Sequence, residues 1–461
     1  MSWNENPDTI NRTAKLLVDS KACNSPREAI NFLETLVLQV SVGDDIGDDT
    51  AAQAALLTIV NAGHRAFLGG INVAISKNVQ LRVPWGFGLN VADAVNLFGG
   101  TVVKSLNPNK PTLAVARPED PIGKPVLHIT YSGWSGGVVQ KFDHVLKNSG
   151  IVPAGVAAGA LGISEVFQNA LGEPVASRRD IGISLWNPLC NWRDENAVGP
   201  ALEFLPSKIW LLGLGHLGQA YSWVLGMLPY ENPKETHVGL IDFDKVVKGN
   251  IATQLLVNGS DNVIDRRKTR VVASALESLR FETTIVERAF DSTFRLDRTR
   301  NEPTVALSGF DKRSPRLDLG NGGFLRVVDG GLGSGYSNYL GITTHTFPAI
   351  QGPAEAFPER SLASPVLSNA YENEIDNLIR EGGKEDAVRC GMLEIAGVNV
   401  GAAFVGAFAG SLVISDLLRI LHDGPNFSVV SVDLQCADNV QASVIPWDLN
   451  STFAFSRALT L

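Results

Sequence analysis

Cysteine is scarce: only Cys23, Cys190, Cys390 and Cys436 occur among 461 residues, and no two form a C-x-x-C pair. That excludes a disulfide framework and a structural zinc knuckle, leaving free thiols of a reducing cytosol as the expectation. Basic residues are also short, 39 Lys and Arg against 48 Asp and Glu, for a formal charge of −9 with no basic run to offset it. Neither nucleic acid nor an anionic membrane is therefore an expected partner. The histidines never fall at H-x-x-H or H-E-x-x-H spacing, so no zinc site is expected. The polar, acid-bearing start Met1 to Asp8 carries no export pattern. Long apolar runs are nearly missing. The single stretch approaching membrane-span length, Ala396 to Ser415, is rich in Gly and Ala, holds Asn399 and runs into Asp416 and Arg419. It reads as a buried, closely packed helix of a soluble, cytoplasmic protein.

What is present suffices for at least two cores, with 44% hydrophobic residues over 461 positions. Apolar positions at helical spacing and the helix start Asn24-Ser25-Pro26 predict two helices within residues 1–45. Residues 46–175 alternate short apolar runs such as Thr112 to Val115 and Val126 to Tyr131 with Gly-rich turns, an α/β pattern. Residues 176–206 read as a linker. A second α/β domain spans 207–461, with strands at Ile209 to Leu212, Val238 to Ile241, Thr304 to Leu307 and Leu325 to Val328 and a polar, Pro-containing crossing loop at about 336–395. Ala154 to Ala160 and Ala396 to Ala402 share five of seven residues, which suggests duplication. The first half offers only Gly63 and Gly69-Gly70 near the expected loop, so it is read as a nucleotide-free partner.

The strongest local signal is Gly213-Leu214-Gly215-His216-Leu217-Gly218, after a strand and before the helical run Ala220 to Leu228. Spaced glycines let the backbone approach phosphate, and the amides at the helix start attract it. Asp242-Phe243-Asp244 then places carboxylates at the end of the next strand, within reach of ribose hydroxyls. These features alone fit a dinucleotide oxidoreductase equally well.

The ordered continuation Asn250, Gln254, Lys268 and Asp311 resembles the ubiquitin-activating enzyme superfamily, the ThiF/MoeB-like adenylating enzymes, from about Lys208 to Leu421. The resemblance implies an α/β chain of two Rossmann-like adenylation folds, the first degenerate and the second binding ATP. It further implies that Gly213, Gly215, Gly218, Asp244, Asn250 and Gln254 line the nucleotide site. Asp242 would hold the ribose, Lys268 the phosphates, and Asp311 a magnesium ion. One position departs: the family carries arginine before the glutamine, where this chain has Thr253. Arg266, Arg267, Arg270, Arg313 or an arginine of the first half could replace it.

Cys390 lies just ahead of the long apolar stretch, where a helix start and Arg389 would lower its pKa. That placement looks like the atypical activating enzyme of autophagy. The implied function is adenylation of a ubiquitin-like modifier's C-terminal glycine, then a thioester on Cys390 for a conjugating-type enzyme. Modifier and conjugating enzyme are expected as separate chains, as in bacterial, antiphage-type conjugation operons. The chain would be an internal pseudodimer, with further homodimerisation open. Three rivals remain at this point. They are an adenylyltransferase for sulfur transfer or peptide modification without a thioester, an NAD-dependent Rossmann oxidoreductase, and a dead scaffold suggested by Thr253.

Overall fold

A computed structural model describes residues 11–146, 148–257, 261–359, 369–381, 385–397, 399–445 and 454–459. Asn11 caps α1 (Arg12–Asp19), its side chain accepting from the amides of Thr13 and Ala14. Ser25 caps α2 (Pro26–Thr35), with Pro26 in the first turn.

The first half then runs β1 (Leu38–Val42), α3 (Thr50–Gly63), β2 (Ile71–Ile75), α4 (Val91–Leu97), β3 (Thr101–Val102), β4 (Thr112–Val115), β5 (Val126–Ser132), β6 (Ser135–Val139), α5 (Val152–Ala170) and β7 (Ile181–Ser184). Its sheet has the order β3-β2-β1-β4-β5-β6-β7. Strands β3 to β5 in that order are parallel, while β6 and β7 are antiparallel. The sheet thus starts at Leu38, ahead of residue 46. The stretch expected as a linker contributes β7, whose short apolar run Ile181-Gly182-Ile183 is fully buried.

The second half comprises β8 (Phe204–Pro206), β9 (Lys208–Leu212), α6 (His216–Leu225), β10 (His237–Ile241), α7 (Lys268–Ser278), β11 (Glu282–Val286), β12 (Val305–Ser308), α8 (Arg313–Leu317), β13 (Arg326–Leu332), β14 (Gly341–Phe347), α9 (Pro353–Ala356), α10 (Asn369–Arg380), α11 (Glu385–Gly397), α12 (Ala403–Leu421), β15 (Phe427–Asp433), β16 (Gln441–Val444) and β17 (Phe455–Arg457). Its main sheet is ordered β11-β10-β9-β12-β13-β14-β15-β16. The first five are parallel and the remainder antiparallel. Strand for strand this repeats the first sheet and adds β16, so the chain is an α/β protein of two like folds. The expected crossing loop is not one loop: β14, α9, α10 and α11 lie within it. Pro353 opens α9.

The repeat is real in topology, but its register differs from the one the sequence suggested. Ala396 and Gly397 end α11, and 399–401 is held outside any helix by α1. Arg12 Nη1 donates to the Asn399 carbonyl at 3.2 Å and Thr13 Oγ1 to that of Gly401 at 3.1 Å. The matching helices are α5 and α12, each 19 residues and buried nearly throughout. Each has glycine at its fourth and eighth positions, Gly155 and Gly159 in one, Gly406 and Gly410 in the other. A Cβ at Gly155 or Gly159 would lie 2.1 or 2.8 Å from the Ala51 or Ala55 carbonyl of α3. One at Gly410 would lie 2.7 Å from the Ala220 carbonyl of α6. Small residues therefore bring each long helix against the helix that follows β1 in the first half and β9 in the second.

These four helices also join the halves into one core. Phe167 of α5 meets Phe404 of α12 with centroids 5.7 Å apart. Trp223 of α6 stacks on Trp85 at 5.6 Å and donates to Thr58 Oγ1 of α3 at 3.1 Å. Among the described residues α12 is the one helix long and apolar enough to cross a membrane, and it is buried inside the fold. The N-terminal helices reach the other way, onto α10. Lys15, Asp19 and Tyr371 bond one another, and Arg27 pairs with Glu381 at 3.0 Å.

Candidate nucleotide site

Strand order reverses between β9 and β12, and the chain leaving each strand turns to opposite sides. The crevice between them is where open parallel sheets bind ligands. From β9 comes the glycine loop. Gly213 sits at φ +80°, a conformation open to glycine. A Cβ at Gly218 would fall 2.0 Å from the Gly213 carbonyl, whereas one at Gly215 would meet nothing within 4 Å. The loop is thus closed beneath and open above, and it ends in the amides that start α6.

From β12 come Gly309, Phe310 and Asp311. A Cβ at Gly309 would approach Leu217 Cβ to 2.8 Å, and one at Gly213 would meet the Phe310 ring at 2.9 Å. These contacts seat the second loop on the first and leave Asp311 exposed beside it. A carboxylate is the kind of oxygen ligand a hard cation takes. Among the described residues no three His, Cys, Asp or Glu form a metal cage. A magnesium held by one carboxylate and by substrate phosphates fits that arrangement.

From β10 come the acids. Asp242 accepts from the Leu214 amide at 2.6 Å and the Asp244 amide at 2.7 Å, tying strand end to glycine loop. Burial pushes its carboxyl up, against the pull of the Lys268 ammonium and both amides. Lys268, the first residue of α7, is buried, with Nζ 2.8 Å from Asp244 Oδ2 and its amide on the Asp244 carbonyl at 3.0 Å. The ammonium is thereby aimed at the crevice. Asn250 folds its own segment, accepting from the Val247 amide at 3.0 Å, and Gln254 is buried.

Gln219 carries no motif, yet it joins these parts. Its Nε2 donates to Gln254 Oε1 at 2.7 Å and to the Leu214 carbonyl at 3.3 Å, while its Oε1 accepts from the Leu256 amide at 3.0 Å. His216 packs against α12, its Nε2 2.3 Å from a Cβ placed on Gly406. Burial pulls it down to about 4, so it is neutral at physiological pH.

Of the arginines considered for the place of Thr253, Arg270 is paired with Glu287 at 2.7 Å and Arg313 donates to the Phe357 carbonyl at 2.7 Å. Arg267 bonds the Phe243 carbonyl. Arg12 of the N-terminal helix α1 stands over 399–401, against which Thr253 and His216 pack. Cys390 lies elsewhere than its place in the sequence suggested. It falls inside α11, not at the loop-to-helix junction expected. Its side chain lies outside the described residues.

In the first half the equivalent loop is Gly43 to Asp49, leaving β1, rather than Gly63 or Gly69-Gly70. It presents Asp44, Asp45, Asp48 and Asp49 where the second half has glycines and amides. Asp49 caps α3 and accepts from Tyr131, and Asp48 pairs with Arg82 at 2.6 Å. A Cβ at Gly43 would strike the Ala116 carbonyl at 2.1 Å, so residues 116–118 already fill the space above. Carboxylates in a filled crevice do not receive a triphosphate.

Two family models match the chain, the BilD N-terminal domain at residues 37–185 and the BilD C-terminal domain at residues 205–424. The chain belongs to the BilD family. It is 35% identical over 430 residues to a protein of Collimonas sp. (strain OK412) named bacterial E1-like protein BilD, covering 92% of this chain and 91% of that one. Both members of that pair are thus matched nearly end to end. Among solved structures, E. coli MccB is similar at 13% identity and a TM-score of 0.32, over 69% of this chain and 91% of that one. E. coli tRNA N6-threonylcarbamoyladenosine dehydratase TcdA in complex with AMP is similar at 17% and 0.29, over 46% and 85%. PaaA is similar at 13% and 0.32, over 52% and 64%. At such scores the fold assignment rests on the strand order and not on these neighbours.

Proposed function

We propose that this chain uses ATP to adenylate the C-terminal carboxylate of a ubiquitin-like protein. The carrying observation is the convergence at one crevice of an upward-open glycine loop, the Asp242 carboxylate and the buried Lys268 ammonium. Asp242 is placed to accept from ribose hydroxyls, and the loop amides and Lys268 to bind phosphate oxygens. Attack of a carboxylate on the α-phosphate breaks the bond to pyrophosphate, so the protein's task is positioning and charge neutralisation. Asp311 would hold magnesium, which shares in neutralising the phosphates when bound. The name of the Collimonas relative supports an E1-like role.

The acyl group then passes to the Cys390 thiol, releasing AMP, and onward to a conjugating-type enzyme in the cytoplasm, within a bacterial conjugation system of antiphage type. A second reading, adenylation without a thioester, is favoured by the place of Cys390 inside α11. The two are separated by incubating the chain with ATP, magnesium and a candidate modifier. An adduct cleaved by reducing agent and lost in Cys390→Ala supports the first. ATP–pyrophosphate exchange without an adduct supports the second, and tight nicotinamide-cofactor binding without ATP binding excludes both.

A further inference from the structure

Arg65, just beyond α3 in the half without a nucleotide loop, is 4% exposed and makes its bonds mostly across the domain boundary. Nε donates to the Asn61 carbonyl at 2.8 Å and Nη2 to Asn61 Oδ1 at 2.9 Å. Nη1 donates to the Ile251 carbonyl, and Nη2 also to those of Leu255 at 3.5 Å and Val257 at 3.0 Å. Asn61 Nδ2 adds a bond to Leu255 O at 3.0 Å. No carboxylate is within ion-pair distance of Arg65 among the described residues. Burial pulls the guanidinium down to about 9, so it remains protonated at neutral pH.

A buried cation answered only by carbonyl dipoles is costly where an interface merely has to be closed. The neighbouring contact shows the alternative, with Trp85 stacked on Trp223. The carbonyls Arg65 gathers belong to residues 251–257, the segment that bears Thr253 and Gln254 and follows Asn250. They bracket Thr253, the position at which the resembled superfamily carries its own cation. From Gln254 the bonding continues through Gln219 to the Leu214 carbonyl of the glycine loop.

We propose that Arg65 is a positioning residue for the nucleotide. The degenerate half supplies a buried cation that holds residues 251–257 against the glycine loop, offsetting the arginine replaced by Thr253. This rests on the adenylation reading, and it makes ATP affinity depend on a residue with no access to ATP.

The test uses the full chain with Arg65→Lys, Arg65→Met and, as an interface control, Trp85→Phe, which removes the Trp85 Nε1 bond to the Trp223 carbonyl at 2.8 Å. Arg65→Lys should raise KM for ATP in pyrophosphate exchange roughly ten-fold with little change in kcat, and Arg65→Met should raise it further. Trp85→Phe should lower the melting temperature comparably and leave KM unchanged. Equal KM effects in Arg65→Lys and Trp85→Phe, or none in either, would overturn the proposal. Should Arg65→Met fail to fold, Asn61→Leu keeps the guanidinium and should raise KM about three-fold; an unchanged KM there counts against the idea. Hydrogen exchange supplies a readout without nucleotide: Arg65→Lys should speed exchange at the Leu256 amide, which donates to Gln219 Oε1, and unaltered protection there overturns the proposal. If the unaltered chain fails to bind ATP, it is the adenylation reading that falls, and the exchange result still decides the role of Arg65.

Discussion

Gly406 of α12 lies so close to His216 of the glycine loop that a Cβ added to it would come within 2.3 Å of Nε2. In the first half Gly155 of α5 has the same place but faces the Ala51 carbonyl at 2.1 Å. A side chain can turn aside where backbone cannot. Gly155→Ala should therefore cost about 2–3 kcal/mol of stability, and Gly406→Ala about 1 kcal/mol. On the proposed function, Gly406→Ala should instead disturb ATP binding, because the displaced ring belongs to the glycine loop. Urea denaturation and ATP titration of both variants check this; a larger stability loss in Gly406→Ala contradicts it.

The glycine pair at 155 and 159 was readable as close packing, yet its partner was misplaced in the sequence. Small-residue runs resemble one another, and only the bonds from Arg12 and Thr13 to residues 399–401 show where α12 begins. Strands β4, β9 and β10 were legible because buried parallel strands are short β-branched and aliphatic runs. The loop Gly43 to Asp49 was not, since it lacks the glycine spacing that marks its counterpart in the second half. Helices α10 and α11 were hidden by polar composition and nearby prolines. Lys268 and Asp242 were legible as members of an ordered motif. Gln219 and Arg65 were not, because each acts through contacts that exist only after distant segments pack.

Acid should weaken the fold in a defined window. His64, His216 and His345 are each pulled by burial to about 4, below the unfolded value of 6.5. The unfolded chain thus binds protons the folded one refuses, and stability is lost as pH falls from 6.5 towards 4. Asp329, raised by burial to about 6, works in the opposite direction between 3.8 and 6 and offsets part of the loss. For His216 the loss by pH 5 is on the order of 2 kcal/mol. Denaturation midpoints should fall from pH 7 to pH 5, with a shallower slope in His216→Gln; identical slopes would refute the assignment.

Asp311→Ala should reduce pyrophosphate exchange by about two to three orders of magnitude and steepen its dependence on magnesium concentration, with the melting temperature held within a few degrees. The side chain is exposed, so its loss opens no cavity. Exchange that persists at ordinary magnesium in this variant would remove Asp311 from the metal site.

Lys268 tests the crevice most directly because its charge is both buried and paired. Lys268→Met keeps the apolar stem in place but removes the ammonium, leaving the Asp244 carboxylate, half-exposed, without its partner at 2.8 Å. Water can serve that carboxylate, so the fold should survive with a small loss of stability. The chemistry should not, because a fixed cation facing developing phosphate charge contributes roughly 10²–10³ in rate. Asp244→Asn makes the complementary change, keeping the ammonium but loosening its aim, and should raise KM for ATP more than it lowers kcat. Measured side by side, a large kcat loss in Lys268→Met and a KM-weighted loss in Asp244→Asn identify Lys268 as the phosphate ligand with Asp244 as its guide. Equal, purely thermal effects in both would reduce the pair to a structural salt bridge.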